Sequence, residues 1–195
     1  IADDSALSVR LATTDADLHA AQRLRYRVFV TELGADGPMV DHAAGLERDA
    51  FDPVFEHLIL VDARRPAGDH VVGVYRLLPS DRIAPGGRFY SEDEFDLTPL
   101  MSSGRKLLEL GRSCVDIDHR GGTAMFHLWN GLADYVLERG IEVLFGAASF
   151  HGCDVARLAM PLSYLHHHHL APPDLRVRAR AAHRQDMALI PPEDL

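Results

Sequence analysis

Cysteine is scarce: Cys114 and Cys153 are the only two in 195 residues. Two thiols cannot build the disulfide framework of a small secreted domain, and the pair points to a reducing compartment, read here as the cytoplasm. Lysine is scarcer, with Lys106 alone among twenty basic residues, a bias of usage that carries no functional signal. No apolar run approaches the roughly 18 residues that span a bilayer, which excludes a transmembrane helix. Positive charge is in deficit, 20 basic against 29 acidic residues for a net charge of -9. A protein that coats nucleic acid needs a basic surface, so that class is excluded and only local basic patches remain. The chain opens at Ile1 without a charged and apolar leader, which reads as a trimmed or processed start. What is present is ordinary: 47% hydrophobic and 25% charged residues, the balance of a globular protein, at a length that suits a single domain over residues 1–195.

Along the chain, residues 8–12 have strand character, and Thr13, Thr14 and Asp15 then supply capping oxygens for a helix. Leu18, Ala21, Leu24 and Val28 recur at three- and four-residue steps and predict one buried stripe, with Arg25 and Phe29 on a neighbouring face. Residues 34–52 are a long loop by composition, and long ordered loops carry function. Two β-rich runs, 57–62 and 70–78, flank a polar stretch and predict an antiparallel hairpin. An irregular region, 79–105, precedes a strand over 107–115. Met125, Leu128, Trp129, Leu132 and Val136 predict the inward side of a second helix ending at Gly140. A strand is expected over 141–148, then a short helix capped by Asp154, with Val155, Leu158, Ala159 and Leu162 inward and a bend at Pro161. That alternation implies an α/β domain with helices over a mixed sheet.

Glu109 and Arg112 interrupt the apolar run 107–115. Strict alternation would send them to opposite faces, whereas a β-bulge at Gly111 would bring both to one. A buried charge needs a partner, so an ion pair between strands and an acid/base group with its orienter are both open readings. After that strand come His119, Arg120, Gly121, Gly122, Thr123 and Ala124 at the start of a helix. Backbone donors at a helix N-terminus attract phosphate and glycines permit close approach, although the same turn can be plain punctuation.

The order of elements resembles the GNAT acyltransferase fold, a mixed, mostly antiparallel central sheet flanked by helices. Residues 119–124 are similar to its phosphate loop, with His119 standing where Gln or Arg is usual. LRYRVFVTEL (24–33), ERDAFD (47–52), VVGVYRLLP (71–79) and LELGRSCVD (108–116) resemble the blocks of acyl-homoserine lactone synthases, although Leu33 lies near where those keep a tryptophan. FHLWNGLADYV (126–136), LFGAASFHGCD (144–154) and HHHHLAPPDLRVRA (166–179) bring the chain closer to the bacterial ornithine N-acyltransferase family. The resemblance implies a site set of Arg25, Phe29, Asp49, Asp52, Arg76, Phe89, Glu109 and Arg112. It also implies that the family continues past Leu195 with a segment returning to the sheet.

The function so implied is transfer of a 3-hydroxyacyl group from acyl carrier protein, or from acyl-CoA, to the α-amine of ornithine or a related amino acid, giving lyso-ornithine lipid. No tightly bound cofactor and no metal are expected, and transient contact with a membrane surface, peripheral at the inner membrane, is compatible. Glu109 is assigned as base, since a carboxylate in a partly apolar strand gains proton affinity, and Arg112 as the group that holds it. Arg25 or Arg76 suits the acceptor carboxylate, Asp49 or Asp52 its distal ammonium, and Phe29 and Phe89 the pocket lining. Residues 119–124 would take the donor phosphate, with oxyanion donors on the backbone where strands 107–115 and 141–148 separate. Two alternatives stand beside this: a lactone-type signal synthase, and an inactive acyl-carrier-binding module. Residues 166–169 have no metal-site spacing, and Cys114, Cys153 and Trp129 read as core.

Overall fold

The computed structural model describes residues 4–195; the expectation about Ile1 falls outside them. The first strand, β1 (Leu7–Leu11), leads into α1 (Asp15–Arg25), whose cap Thr14 accepts a hydrogen bond from the Asp17 amide. The helix widens into a π-helical stretch over Tyr26–Glu32. The long loop then carries a miniature ladder, β2 (Val40–Asp41) against β3 (Leu46–Glu47). The hairpin is as expected, β4 (Glu56–Asp62) antiparallel to β5 (Val71–Pro79). Short elements β6 (Phe95–Asp96) and α2 (Thr98–Met101) punctuate the irregular region before β7 (Leu107–Val115). The rest comprises α3 (Ala124–Arg139), β8 (Val143–Phe145), α4 (Val155–His168) and β9 (Arg178–Ala179).

Five strands form one sheet in the order β1-β4-β5-β7-β8, antiparallel except for the β7–β8 pair, while β9 pairs with β6. The predicted α/β architecture with a mostly antiparallel mixed sheet is therefore the one observed. Alternation along β4 sends Ile59 to one face, with Ala20, Ala21, Leu24 and Val28 of the α1 region, and Leu58 and Leu60 to the other, with Leu128 and Leu132 of α3. Two helices covering opposite faces explain why β4 and β5 read as almost continuous apolar runs. A further cluster of Phe55, Leu78, Phe89, Leu97, Leu100 and Leu107 closes over the irregular region, and Leu175 and Val177 of the tail pack on it.

Several expectations give way. Trp129 is 52% exposed, resting edge-on against Tyr75, and Met125 is exposed as well. The buried stripe of α3 is Ala124, Leu128, Leu132 and Tyr135, so the expected Leu128 and Leu132 are buried while Ala124 and Tyr135 take the places expected of Met125, Trp129 and Val136. Cys114 is buried, and burial pushes its thiol up to about 12, whereas Cys153 is exposed. The strand expected over 141–148 pairs only at Val143–Phe145. The last helix is longer than expected and only Ser163 on it is buried, with Val155, Leu158, Ala159 and Leu162 half-covered. No helix among the described residues is long and apolar enough to cross a membrane.

Candidate active site

The parallel ladder between β7 and β8 runs Leu107–Val143, Leu108–Leu144 and Glu109–Phe145, then stops. Beyond it the two chains part around Gly146. A Cβ at that position would overlap the Leu110 carbonyl oxygen, so glycine is the residue that lets the backbones touch at the point of divergence. Two adjoining cavities, of about 240 and 450 Å³, open there and share Leu110, Gly111, Arg112 and residues 147–149 as lining. The smaller also has Phe55, Arg76, Tyr90, Ser91, Glu94 and Glu109 in its wall. The larger has Phe29, Tyr75, Ser113, Leu144 and Phe145.

The bulge in β7 exists, but Gly111 does not host the unusual backbone. Pairing with β5 slips between Val74 and Arg76, so that Arg112 and Ser113 of β7 together oppose Tyr75 of β5, and Arg112 takes φ 49°. A non-glycine residue in that left-handed region costs of order 1–3 kcal/mol and persists only where surroundings impose it. Here the guanidinium is fixed by Glu47 Oε1 at 2.9 Å and the Met39 sulfur at 3.2 Å, and it lies 5.3 Å from the centre of the Phe29 ring. The bulge does let Glu109 and Arg112 line one cavity. They do not pair, which corrects the expectation that Arg112 holds Glu109. Glu109, 2% exposed, instead accepts hydrogen bonds from the Tyr90 and Ser91 amides at 2.8 and 2.7 Å and from the Ser91 hydroxyl at 2.5 Å.

Behind these two residues lies a buried charge network. Arg25, with no exposed surface, grips Asp52 with both terminal nitrogens at 2.8 Å and meets Glu47 through Nε at 2.5 Å. Arg76 bonds Asp49 at 2.8 Å and Asp52 at 2.9 Å, and stacks 4.4 Å from the Phe55 ring centre. Gln22 completes the shell of Asp52 at 2.8 Å. Burial alone would raise the Asp52 carboxyl, but the hydrogen bonds and charges of Arg25 and Arg76 outweigh it and hold the group well below the usual carboxylate range. Nearby His57 is pushed down to about 4 by burial and by the Arg25 charge.

The structure gathers most of the residues that the resemblance implied and gives several of them partners other than those expected. Arg25, Asp49, Asp52 and Arg76 meet one another, and Arg25 and Asp52 have no free face toward either cavity. Phe29 lines the larger cavity, whereas Phe89 is buried edge-on against Phe145, 4.9 Å between ring centres, in the apolar cluster beneath. Glu47 was missed although it opens the ERDAFD block, because nothing in loop composition signals a carboxylate that will be 2% exposed between two arginines. Tyr90 and Ser91 were missed too, since both act through backbone amides that any sequence carries, and the Ser91 hydroxyl meets Glu109 only across 18 residues of chain.

A third cavity of about 260 Å³ is lined by Ser113, Cys114, Val115, Met125 and the turn His119, Arg120, Gly121, Gly122 that precedes Thr123 and Ala124. Gly121 has φ 74°, the left-handed value that suits glycine. The His119 ring turns to Asp62 at 3.2 Å and Asp116 at 3.6 Å, and Arg120 to Glu32 at 2.7 Å and the Val115 carbonyl at 2.9 Å. Both side chains are thereby committed to the protein, leaving backbone N–H groups at the start of a 16-residue helix to meet an anion. His166, His167 and His168 fall in the last turn of α4, with His167 bonded to the Ile190 carbonyl at 3.1 Å.

A parallel pair that splits beside a glycine-rich helix start is the arrangement of a known fold, and the comparisons agree. Residues 24–130, more than half of the chain, match the family model described as an acetyltransferase (GNAT) domain. The chain is 61% identical over 181 residues to the L-ornithine N(alpha)-acyltransferase of Rhodobacter capsulatus, covering 92% of this chain and 70% of that protein. Identity to the protein of the same name from Brucella abortus is 41% over 191 residues, 96% of this chain and 68% of the other. Among solved structures, the CoA-dependent acyl-homoserine lactone synthase BjaI with MTA superposes with a TM-score of 0.56 at 17% identity, covering 89% of this chain and 81% of that one. The last likeness concerns the fold alone. With identity this high over nearly all of its length, the chain is an acyltransferase and belongs to the L-ornithine N(alpha)-acyltransferase family of the GNAT fold.

Proposed function

We propose that this acyltransferase moves a 3-hydroxyacyl group from acyl carrier protein to the α-amine of ornithine, giving lyso-ornithine lipid. The observation that carries the reading is the 240 Å³ cavity at the β7–β8 split, lined by arginine and glutamate together. That volume lies below the roughly 300–1,000 Å³ of a drug-sized site, as suits a free amino acid. The names of the relatives favour ornithine as that amino acid.

In the proposed reaction the donor thioester lies in the split, its carbonyl carbon facing the acceptor amine. Glu109 takes the ammonium proton, directly or through water, the freed amine attacks the carbonyl, and the thiol leaves with a proton as the amide forms. Backbone N–H groups of 110–112 and 146–149, no longer paired across the ladder, are the candidates for holding the tetrahedral oxyanion. The thioester supplies the driving force, so aminolysis calls on no redox group. Arg112, 25% exposed on its side chain, is the candidate for the acceptor carboxylate, while Arg25, Asp52 and Glu47 act from behind by fixing Arg76 and Arg112.

A carrier-protein donor is favoured over CoA by the turn 119–124. With the His119 and Arg120 side chains engaged elsewhere, the turn offers backbone donors without a free cation, which suits the single charge of a phosphodiester better than the larger charge of a pyrophosphate. The protein would then work in the cytoplasm, peripheral to the inner membrane that receives its product. Mass spectrometry of products formed from matched 3-hydroxyacyl carrier protein and 3-hydroxyacyl-CoA with ornithine tests the reading. N-acylornithine formed chiefly from the carrier protein is the expected result. Equal or better turnover with low acyl-CoA overturns the donor assignment, and acylation of S-adenosylmethionine in place of ornithine overturns the acceptor.

A further inference from the structure

Charge accounting around the smaller cavity separates its carboxylates into two kinds. Arg25, Arg76 and Arg112 contribute three positive charges behind and in its wall, and Glu47, Asp49 and Asp52 three negative ones, all within 2.9 Å of a partner, so that network is neutral by itself. Two lining carboxylates stand outside it. Glu109 is held by neutral donors only, the Tyr90 and Ser91 groups. Glu94, exposed in the wall, has no ion pair and no side-chain hydrogen bond among the described residues. The cavity thus carries two negative charges without a cation, and a diamino acid brings two ammonium groups.

Glu94 is also held in place. Its carbonyl accepts the Arg180 amide at 2.7 Å, and the Arg180 side chain bonds the Glu92 carbonyl at 2.8 Å. The next residues of this wall, Phe95 and Asp96, pair with Ala179 and Arg178 as the β6–β9 ladder, and Leu175 and Val177 of the same tail pack into the apolar cluster below. The tail fastens the segment from which both Ser91 and Glu94 reach the cavity. A carboxylate on a fixed backbone selects a cation better than one on a mobile loop, because less ordering accompanies binding.

We propose that Glu94 is the specificity-determining residue for the acceptor, taking the distal ammonium of the side chain while the α-amine faces Glu109. This rests on the proposed amino-acid acylation and moves side-chain recognition from Asp49 and Asp52, whose carboxylates are committed to Arg25 and Arg76, to a residue that no sequence block singled out.

The test compares L-ornithine with L-norvaline, which has the same carbon skeleton without the distal amine, using the full chain and one 3-hydroxyacyl carrier protein as donor. The Glu94 side chain has no partner to lose among the described residues, so Glu94→Gln is expected to melt like the unaltered protein. Its kcat/KM for ornithine should fall about tenfold or more, through KM, as a charge-assisted contact is removed, with norvaline unchanged. Glu94→Asp should recover part of the preference. An ornithine-to-norvaline ratio that survives in Glu94→Gln overturns the assignment, as does an equal loss for both acceptors, which would make Glu94 a wall residue. An unaltered protein that acylates neither amino acid sinks the proposed function itself, and that outcome is read before any variant is made.

Discussion

Replacing Asp52 by asparagine should cost more in folding than in acceptor choice. The carboxylate receives four hydrogen bonds of 2.8–2.9 Å, two from Arg25, one from Arg76 and one from Gln22. Asparagine retains one acceptor oxygen, turns an NH₂ group toward guanidinium donors, and leaves the three buried or half-buried arginines facing two carboxylates in place of three. Removing one partner of a buried ion pair is destabilising by about 3–5 kcal/mol, because the charge left behind can neither return to water nor find another partner. Against a total stability of about 5–15 kcal/mol, that is enough to shift a urea midpoint by a molar unit or more. Equilibrium urea denaturation followed by tryptophan fluorescence reads it, and acylation of ornithine and norvaline below the transition reads selectivity. Lower stability is expected, with both acceptors losing rate together as Arg76 loosens. A loss under about 1 kcal/mol, the worth of an exposed pair, would refute the buried-network argument. A selective loss of ornithine would return side-chain recognition to Asp52.

Glu109→Gln should slow acyl transfer by about 100-fold or more, as loss of a general base does. It should also lower stability by about 1–3 kcal/mol, since a Gln amide would face the Tyr90 or Ser91 amide donor; full activity in the variant would remove Glu109 from the chemistry. Acid should weaken the fold through buried His57. The unfolded chain binds a proton at His57 near its ordinary 6.5, which the folded protein refuses down to about 4. Stability is therefore complete above pH 6.5 and declines toward pH 4, by about 3 kcal/mol at about 1.36 kcal/mol per unit. His57→Gln should flatten that decline in urea midpoints measured from pH 7.5 to 4.5, and an unchanged slope would contradict it. Gly146→Ala should force β8 away from the Leu110 carbonyl and abolish turnover at the split; an active variant with an unshifted melt would show that the two backbones are not held in contact.

Local chemistry carried the sequence a long way. The Thr14 cap, the hairpin over 57–78, the bounds Leu107–Val115 and the left-handed Gly140 stop are set by neighbours in the chain, through dihedral preference, capping and two-residue alternation. Glu109 and Arg112 were legible as charged side chains in an otherwise apolar strand, which have to be accounted for, whereas Arg25, Phe29, Asp49, Asp52, Arg76 and Phe89 were legible only through the resemblance of their blocks to a known family. Their partners were not. Whether Arg112 meets Glu109 or Glu47 depends on where an extra residue enters β7 relative to β5, a register fixed by pairing across some 35 residues of chain. Trp129 was misplaced because the periodicity of α3 gives the spacing of a stripe, while the sheet beneath decides which stripe turns inward. Glu47, Ser91 and Glu94 acquire meaning only once the long loop and the tail have folded onto the β7–β8 split. Sequence determines what each residue can offer over a few neighbours; which offers meet, and which carboxylates remain without a cation, is settled by long-range packing.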